Sequence, residues 1–131
     1  MKPLPSPLPF ERPYWEHAKA HRLAVQRCAR CATFRFPASP VCAQCDADEY
    51  EWTPTGGKGK ILSWVVFHRC YFPSFAAEMP YNVALVELDE GPVLCSNIVG
   101  TDNASISIGM RVSVVFEDVS PEFSIPQFTP E

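Results

Sequence analysis

Apolar and polar positions alternate most clearly in the second half of the chain, and the spacing of those runs predicts a β domain. Lys60–Arg69 is rich in branched and aromatic residues and follows the breaker Gly56-Gly57-Lys58-Gly59. Asn82–Leu88 and Pro92–Val99 flank Asp89-Glu90-Gly91, the signature of a hairpin turn. Met110–Glu117 alternates after Gly109, and Phe123–Phe128 supplies a last short strand that Pro126 confines to a sheet edge. Four or five short strands with no long helix among them predict a small closed barrel, and an OB-fold matches both size and strand number. The glycines at 56, 57 and 59 lack the spacing of a phosphate loop and are expected to act as a flexible hinge and a first-strand kink.

The first half has a different grammar. Residues 1–9 alternate proline with other residues, which excludes helix and predicts an extended arm. A short helix is expected from Pro13, with Tyr14, Trp15 and Ala18 on one stripe. Such a helix is too short to stand alone, so its aromatic residues must dock on this chain or on a partner. Leu23–Arg27 reads as a strand entering Cys28-Ala-Arg-Cys31, and Cys42-Ala-Gln-Cys45 follows after a short hairpin through Phe34–Pro37. The three parts are therefore an arm and helix (1–22), a ribbon (23–54) and a barrel (55–131).

Two Cys-x-x-Cys pairs this close can give four thiolates to one tetrahedral ion, leaving no position open for water or substrate. Cys28, Cys31, Cys42 and Cys45 are thus a structural metal site. Zinc is the expected ion, and iron suits the same four sulfurs. Covalent haem would need histidine directly after a pair, where Ala32 and Asp46 stand. A tandem of pairs outside a βαβ pattern argues against a redox motif, and the proline-rich start lacks the apolar core of a secretory signal. Six cysteines without that signal point to a reducing, cytoplasmic setting. Cys70 and Cys95 lie on apolar stretches and are expected as buried small hydrophobes rather than reactive thiols.

Charge narrows the function. Of the 131 residues 47% are hydrophobic, enough for a packed core, yet no run approaches a membrane span. Residues 1–60 carry nine Lys or Arg against six Asp or Glu, and residues 61–131 carry two against nine. A net −7 on the barrel half opposes a nucleic-acid groove there, leaving only the ribbon as a cationic surface. The basic ribbon either faces a phosphate-bearing ligand or acidic partner, or offsets the −2 charge of zinc with four thiolates. His17, His21 and His68 form no triad or metal pattern, so the chain reads as a non-catalytic subunit.

The order Tyr14-Trp15-Glu16, Gln26-Arg27-Cys28, Arg35-Phe36-Pro37, Gly59–Trp64, Pro80–Leu88, Ser96–Gly100 and Ile108–Val112 resembles one family over about Phe10 to Phe128. That family joins a rubredoxin-like zinc ribbon to an OB-fold and was long catalogued as domain of unknown function thirty-five. The resemblance implies an accessory subunit in a hetero-oligomer with a thiolase-like enzyme, an aldolase or an acyl-CoA hydratase. Such a subunit helps form the acyl-CoA site, as in steroid side-chain aldol cleavage, aromatic acyl-CoA thiolysis and archaeal mevalonate synthesis. Coenzyme A would then be a shared ligand. Its phosphates call for Arg or Lys, here Arg30, Arg35, Lys58, Lys60 or Arg69, and its adenine for a flat face, here Phe34, Phe36 or Tyr71. The loop from His68 to Tyr81 resembles a cover reaching toward the acyl chain or the partner, through Phe72, Phe75 and Tyr81. Equally, it reads as a barrel lid packed on its own core. Tyr14 and Trp15 are the further candidates for partner contact.

Overall fold

Alternation resolves into strands in the computed structural model, which describes residues 3–131; Met1 and Lys2, the start of the expected arm, lie outside the described residues. The rest of the arm has no regular structure before a single 3-10 turn at Pro9–Glu11. Helix α1 (Arg12–Lys19) carries Pro13 in its first turn, buries Tyr14 and Ala18 and half-buries Trp15, so the expected stripe is the docked face.

Strands β1 (Ala24–Cys28), β2 (Phe34–Arg35) and β3 (Tyr50–Pro54) form an antiparallel sheet in the order β2-β1-β3. Strand β3 has no counterpart in the sequence reading. Its alternation through Tyr50-Glu51-Trp52-Thr53 is brief and sits against the glycine run, and it pairs along all of β1.

The second sheet contains β4 (Lys58–Phe67), β5 (Tyr81–Leu88), β6 (Val93–Ser96), β7 (Arg111–Asp118) and β8 (Ser124–Pro130), in the order β6-β5-β4-β7-β8. The sheet curls into an OB-fold half-barrel, with a bulge in β4 between Ile61 and Ser63. It closes through the segment after β6 rather than through a ladder. The Phe128 amide donates to the Asn97 carbonyl (3.0 Å), and the Val99 amide donates to the Phe128 carbonyl (2.8 Å). Inside lie Ile61, Val86, Leu88, Leu94, Val112 and Phe128, all buried. Pro126 sits in β8 at the end of the sheet, as its missing amide requires.

Two expectations need correcting. Cys70 and Cys95 are exposed, not buried. Cys95 points outward from β6, opposite the exposed Leu85 of β5, because the two-residue strand period gives Leu94, not Cys95, to the core. Cys70 lies in the loop after β4, its thiol bonded to the Phe72 carbonyl (3.0 Å). Nor is the glycine run a flexible hinge. Gly59 is inside β4, and a Cβ there would lie 2.4 Å from the carbonyl oxygen of Glu87 on the paired strand. Gly57 has φ +71°, and its Cβ would meet Val114 Cγ1 at 2.5 Å. Close approach of backbones demands these glycines. Gly59→Ala should therefore destabilise the barrel by about 1–3 kcal/mol, since backbone cannot move aside like a side-chain tip. Chemical denaturation reads this directly, and an unchanged midpoint would refute the close-approach account.

A polar clamp joins the end of α1 to the barrel. His21 Nε2 lies 2.9 Å from Asp118 Oδ1, which also accepts the Ser124 hydroxyl, and the His21 ring stacks on Phe116 at 5.1 Å. Lys19 donates to the Ser120 carbonyl (3.0 Å). The hydrogen bond to His21, then that to Ser124, hold the Asp118 carboxyl down to about 2. A depressed carboxyl contributes stability that is complete above its unfolded value near 3.9 and is lost as pH falls through about 2. The melting-temperature advantage of wild type over Asp118→Asn should hold steady above pH 4 and shrink between pH 4 and pH 2. A constant advantage across that window would show that the clamp does not depend on the Asp118 charge.

Candidate functional site

The two cysteine pairs form equivalent knuckles. Strand β1 delivers Cys28, and the chain then reverses so that the Ala32 amide donates back to the Cys28 carbonyl (3.0 Å). Asp46 repeats this with the Cys42 carbonyl (2.9 Å). Both turns place the residue after the second cysteine in the left-handed region, Ala32 at φ 63° and Asp46 at φ 62°. Backbone amides of Cys31 and Gln44 point at Cys28 Sγ and Cys42 Sγ, each at 3.4 Å.

The four sulfurs converge. Cys28 and Cys45 Sγ are 3.5 Å apart, Cys31 and Cys42 Sγ are 3.6 Å apart, and all four lie within 4.8 Å of one another. A regular tetrahedron of metal–sulfur bonds near 2.3 Å has edges of about 3.8 Å, so the donor set suits a zinc-type ion. Hydrogen bonds from Thr33, side chain first and then backbone, lower the Cys31 thiol to about 6. The amide of Cys31 likewise lowers Cys28. For Cys45 the Ala47 amide favours the thiolate, but burial and the neighbouring sulfurs outweigh it and push the thiol up to about 12. Four thiolates this close repel one another, and a bound cation is what lets all four ionise together.

The candidate coenzyme A residues fall in separate places. Arg30 is exposed on the first knuckle. Arg35 is turned inward: it donates to Gln26 Oε1 (2.9 Å) and the Ser39 carbonyl (2.8 Å) and lies 4.8 Å over the Tyr50 ring. Phe34 is covered by the Arg27 guanidinium at 5.0 Å, and Phe36 packs on Tyr14 at 5.4 Å. Lys58 and Lys60, at the start of β4, face Glu131 (3.7 Å) and Glu87 (3.6 Å). Arg69 lies past the other end of that ten-residue strand, 5.1 Å over the Tyr71 ring.

The loop between β4 and β5 contains a 3-10 turn, Pro73–Glu78, and carries an aromatic ladder. Phe67 stacks on Tyr81 (5.2 Å) and meets Tyr71 edge-on (6.4 Å), while Phe75 lies 5.9 Å from Tyr81 and 6.2 Å from Phe72. Phe67, Phe75 and Tyr81 are half-buried, while Tyr71 and Phe72 stay more than half exposed, at 59% and 56%. Tyr14 and Trp15, the other candidate contacts, are turned inward at the seam, where Trp15 meets Phe123 at 5.8 Å.

Beneath the loop is a cleft of about 440 Å³ lined by Phe75, Tyr81, Asn82, Asn97, Asn103 and Gln127, among others. Asn82 organises it: its amide donates to the Ile98 carbonyl (2.8 Å) and Asn103 Oδ1 (2.9 Å), and its oxygen accepts from the Ile98 amide (2.7 Å). These asparagines were not singled out in the sequence. The available signal was Asn82 within an otherwise apolar strand, where asparagine is depleted.

Sequence comparison agrees with this geometry. The family description "ChsH2, rubredoxin-like zinc ribbon domain" matches residues 15–51, and "ChsH2, C-terminal OB-fold domain" matches residues 52–117. The chain is 42% identical over 117 residues to a Thermomonospora curvata protein named "Probable enoyl-CoA hydratase alpha subunit", covering 89% of this chain but 36% of that one. The chain thus spans about a third of that relative's length. It is 32% identical to a "DUF35 domain-containing scaffold protein" of Methanocaldococcus jannaschii, covering 82% of this chain and 77% of the other. A solved chain described as "Ltp2-ChsH2(DUF35) aldolase" superposes with a TM-score of 0.89 at 39% identity, covering 97% of this chain and 98% of that one. No helix among the described residues is long and apolar enough to cross a membrane.

Proposed function

This chain belongs to the ChsH2 family, a rubredoxin-like zinc ribbon followed by an OB-fold domain, and from that premise we propose that it is an accessory subunit of an acyl-CoA-acting enzyme. The partner is a thiolase-superfamily enzyme that makes or breaks a C–C bond, of thiolase or retro-aldolase type, and it supplies the catalytic groups. The observation that carries this reading is the superposition, over nearly the whole of both chains, on a chain described as part of an aldolase. The 42% identity to a hydratase-named relative favours an acyl-CoA hydratase as the second reading.

In this role zinc sits on Cys28, Cys31, Cys42 and Cys45 and cross-links the ribbon without entering the chemistry. The loop after β4 faces the partner. Tyr71 and Phe72 are exposed aromatic anchors of the kind interfaces bury, and Arg69, 5.1 Å over the Tyr71 ring, is available to meet a coenzyme A phosphate. Arg30 offers a second cation from the ribbon. Arg35, already bonded within the protein, serves the fold instead.

The test is recovery of the tagged chain from its native cells, with partners identified by mass spectrometry and zinc measured alongside. A thiolase-like enzyme at fixed stoichiometry, lost on Phe72→Ala, is the expected result. A hydratase-like partner would replace it with the second reading. Nucleic acid that survives moderate salt, with no enzyme recovered, would overturn both.

A further inference from the structure

Each close sulfur pair of the metal site takes one cysteine from each knuckle, Cys28 with Cys45 at 3.5 Å and Cys31 with Cys42 at 3.6 Å. The site therefore exists only when the two knuckles are correctly placed against each other. Where the chain leaves the second knuckle, a ladder does this: the Ala29 amide donates to the Glu49 carbonyl (3.0 Å), and β3 then pairs along β1. Where the chain enters it, there is no ladder. Strand β2 ends after two residues, and among the described residues no backbone–backbone hydrogen bond joins 36–41 to the rest of the protein.

Two side chains fill that gap. Gln26 and Arg35 are register partners on β1 and β2, and both reach Ser39, which lies just before Cys42 in sequence. Gln26 Oε1 accepts from Arg35 Nε (2.9 Å) and from the Ser39 amide (2.8 Å), while Arg35 Nη2 donates to the Ser39 carbonyl (2.8 Å). The peptide groups on both sides of Ser39 are thus held, and its hydroxyl donates to the Val41 carbonyl (2.9 Å) at the turn into Cys42. From β2 the Arg35 guanidinium also reaches across to the Tyr50 ring of β3 (4.8 Å), and Tyr50 is the register partner of Cys28.

Packing alone does not account for these residues. Gln26 is fully buried, and its Nε2 has no hydrogen-bond partner; Arg35 Nη1 is buried without one too. A buried donor without a partner is unfavourable, and an apolar side chain at 26 would avoid that penalty. What it would lose is Oε1, the acceptor on which Ser39 and Arg35 meet. We infer that Gln26 and Arg35 are positioning residues of the metal site, which hold the chain entering the second knuckle so that Cys42 and Cys45 meet Cys31 and Cys28 as one tetrahedron. Arginine suits the task because its planar fork makes both bonds at once, whereas lysine offers a single flexible point charge. The role is independent of which enzyme the chain joins.

The test uses the full chain loaded with cobalt(II), which suits the same four thiolates and, unlike zinc with its filled d shell, reports the shape of the sulfur tetrahedron in its visible bands. Competition with a chelator gives the affinity. Gln26→Met keeps the bulk and removes the unpartnered amide, so packing alone predicts no loss. The positioning role predicts a fall in affinity of about tenfold to a hundredfold, with altered bands even at saturation. Arg35→Met and Arg35→Lys should fall alike, because lysine keeps the charge and loses the fork. Val25→Ala is the control: it weakens the ribbon core, so metal binding drops through stability, yet its saturated bands should match those of wild type. The proposal is overturned if Gln26→Met binds cobalt as tightly as wild type, if Arg35→Lys keeps wild-type affinity, or if the saturated bands of the Gln26 and Arg35 variants superpose on those of Val25→Ala.

Discussion

Stripping the metal from the four-cysteine cluster, or replacing Cys42 with serine, should unfold the ribbon while leaving the barrel folded. The ribbon's sheet has strands of five, two and five residues. Its share of the core is small, chiefly Leu23 and Val25. Structural zinc contributes roughly 10–16 kcal/mol to zinc-finger peptides at neutral pH, as much as the whole stability of a typical domain, about 5–15 kcal/mol. Cys42 is fully buried, and its sulfur sits 3.6 Å from that of Cys31, so losing it removes a ligand that no neighbour replaces. Hydrogen exchange is the measurement. In metal-free protein the amides of Ala24–Cys28 and Tyr50–Pro54 should lose protection, and those of β4 and β5 should keep most of theirs. Protection of the ribbon strands that persists in protein shown to be metal-free would refute the claim that the ion holds them.

The barrel and the metal knuckles were legible because each rests on a local rule. Strand alternation marks Tyr81–Leu88 and Arg111–Asp118, and two-residue spacing marks the cysteine pairs. What escaped depends on contacts between distant residues. Nothing near Gly59 in sequence shows that the Glu87 carbonyl would crowd a side chain there. The exposure of Cys95 turns on a one-residue register in a four-residue strand, where apolar neighbours on both sides hide the alternation. The meeting of His21 with Asp118 spans 97 positions. Arg35 shows the same limit at the candidate site. Its composition suits a phosphate, but the carbonyl of Ser39 and the side chain of Gln26 already occupy its guanidinium. Arg69, with an aromatic face beneath it and no carboxylate paired to it among the described residues, is what such a cation looks like when it is free to bind.

Phe128→Ala should be the most damaging single substitution outside the metal site. Phe128 is fully buried and is the largest such side chain in the barrel. It also stands where the curled sheet closes, bridged to Ile98 and bonded through its backbone to Asn97 and Val99. Truncating a buried phenylalanine typically removes about 3–5 kcal/mol, through lost transfer energy and the cavity left behind. Collapse into that cavity is hindered here because fellow core residues such as Val112 on β7 and Val86 on β5 belong to strands held by ladders on both sides. Gln127→Ala is the control, on the opposite face of β8, where the effect should stay within about 0.5 kcal/mol. Urea denaturation compares the two: a large drop in midpoint for Phe128→Ala with little change for Gln127→Ala is expected. Exchange at the Val99 amide, which depends on the closure, should rise in the same variant. Equal midpoints for the two variants would mean that the half-barrel is held by its ladders and not by the side chain at its closing point.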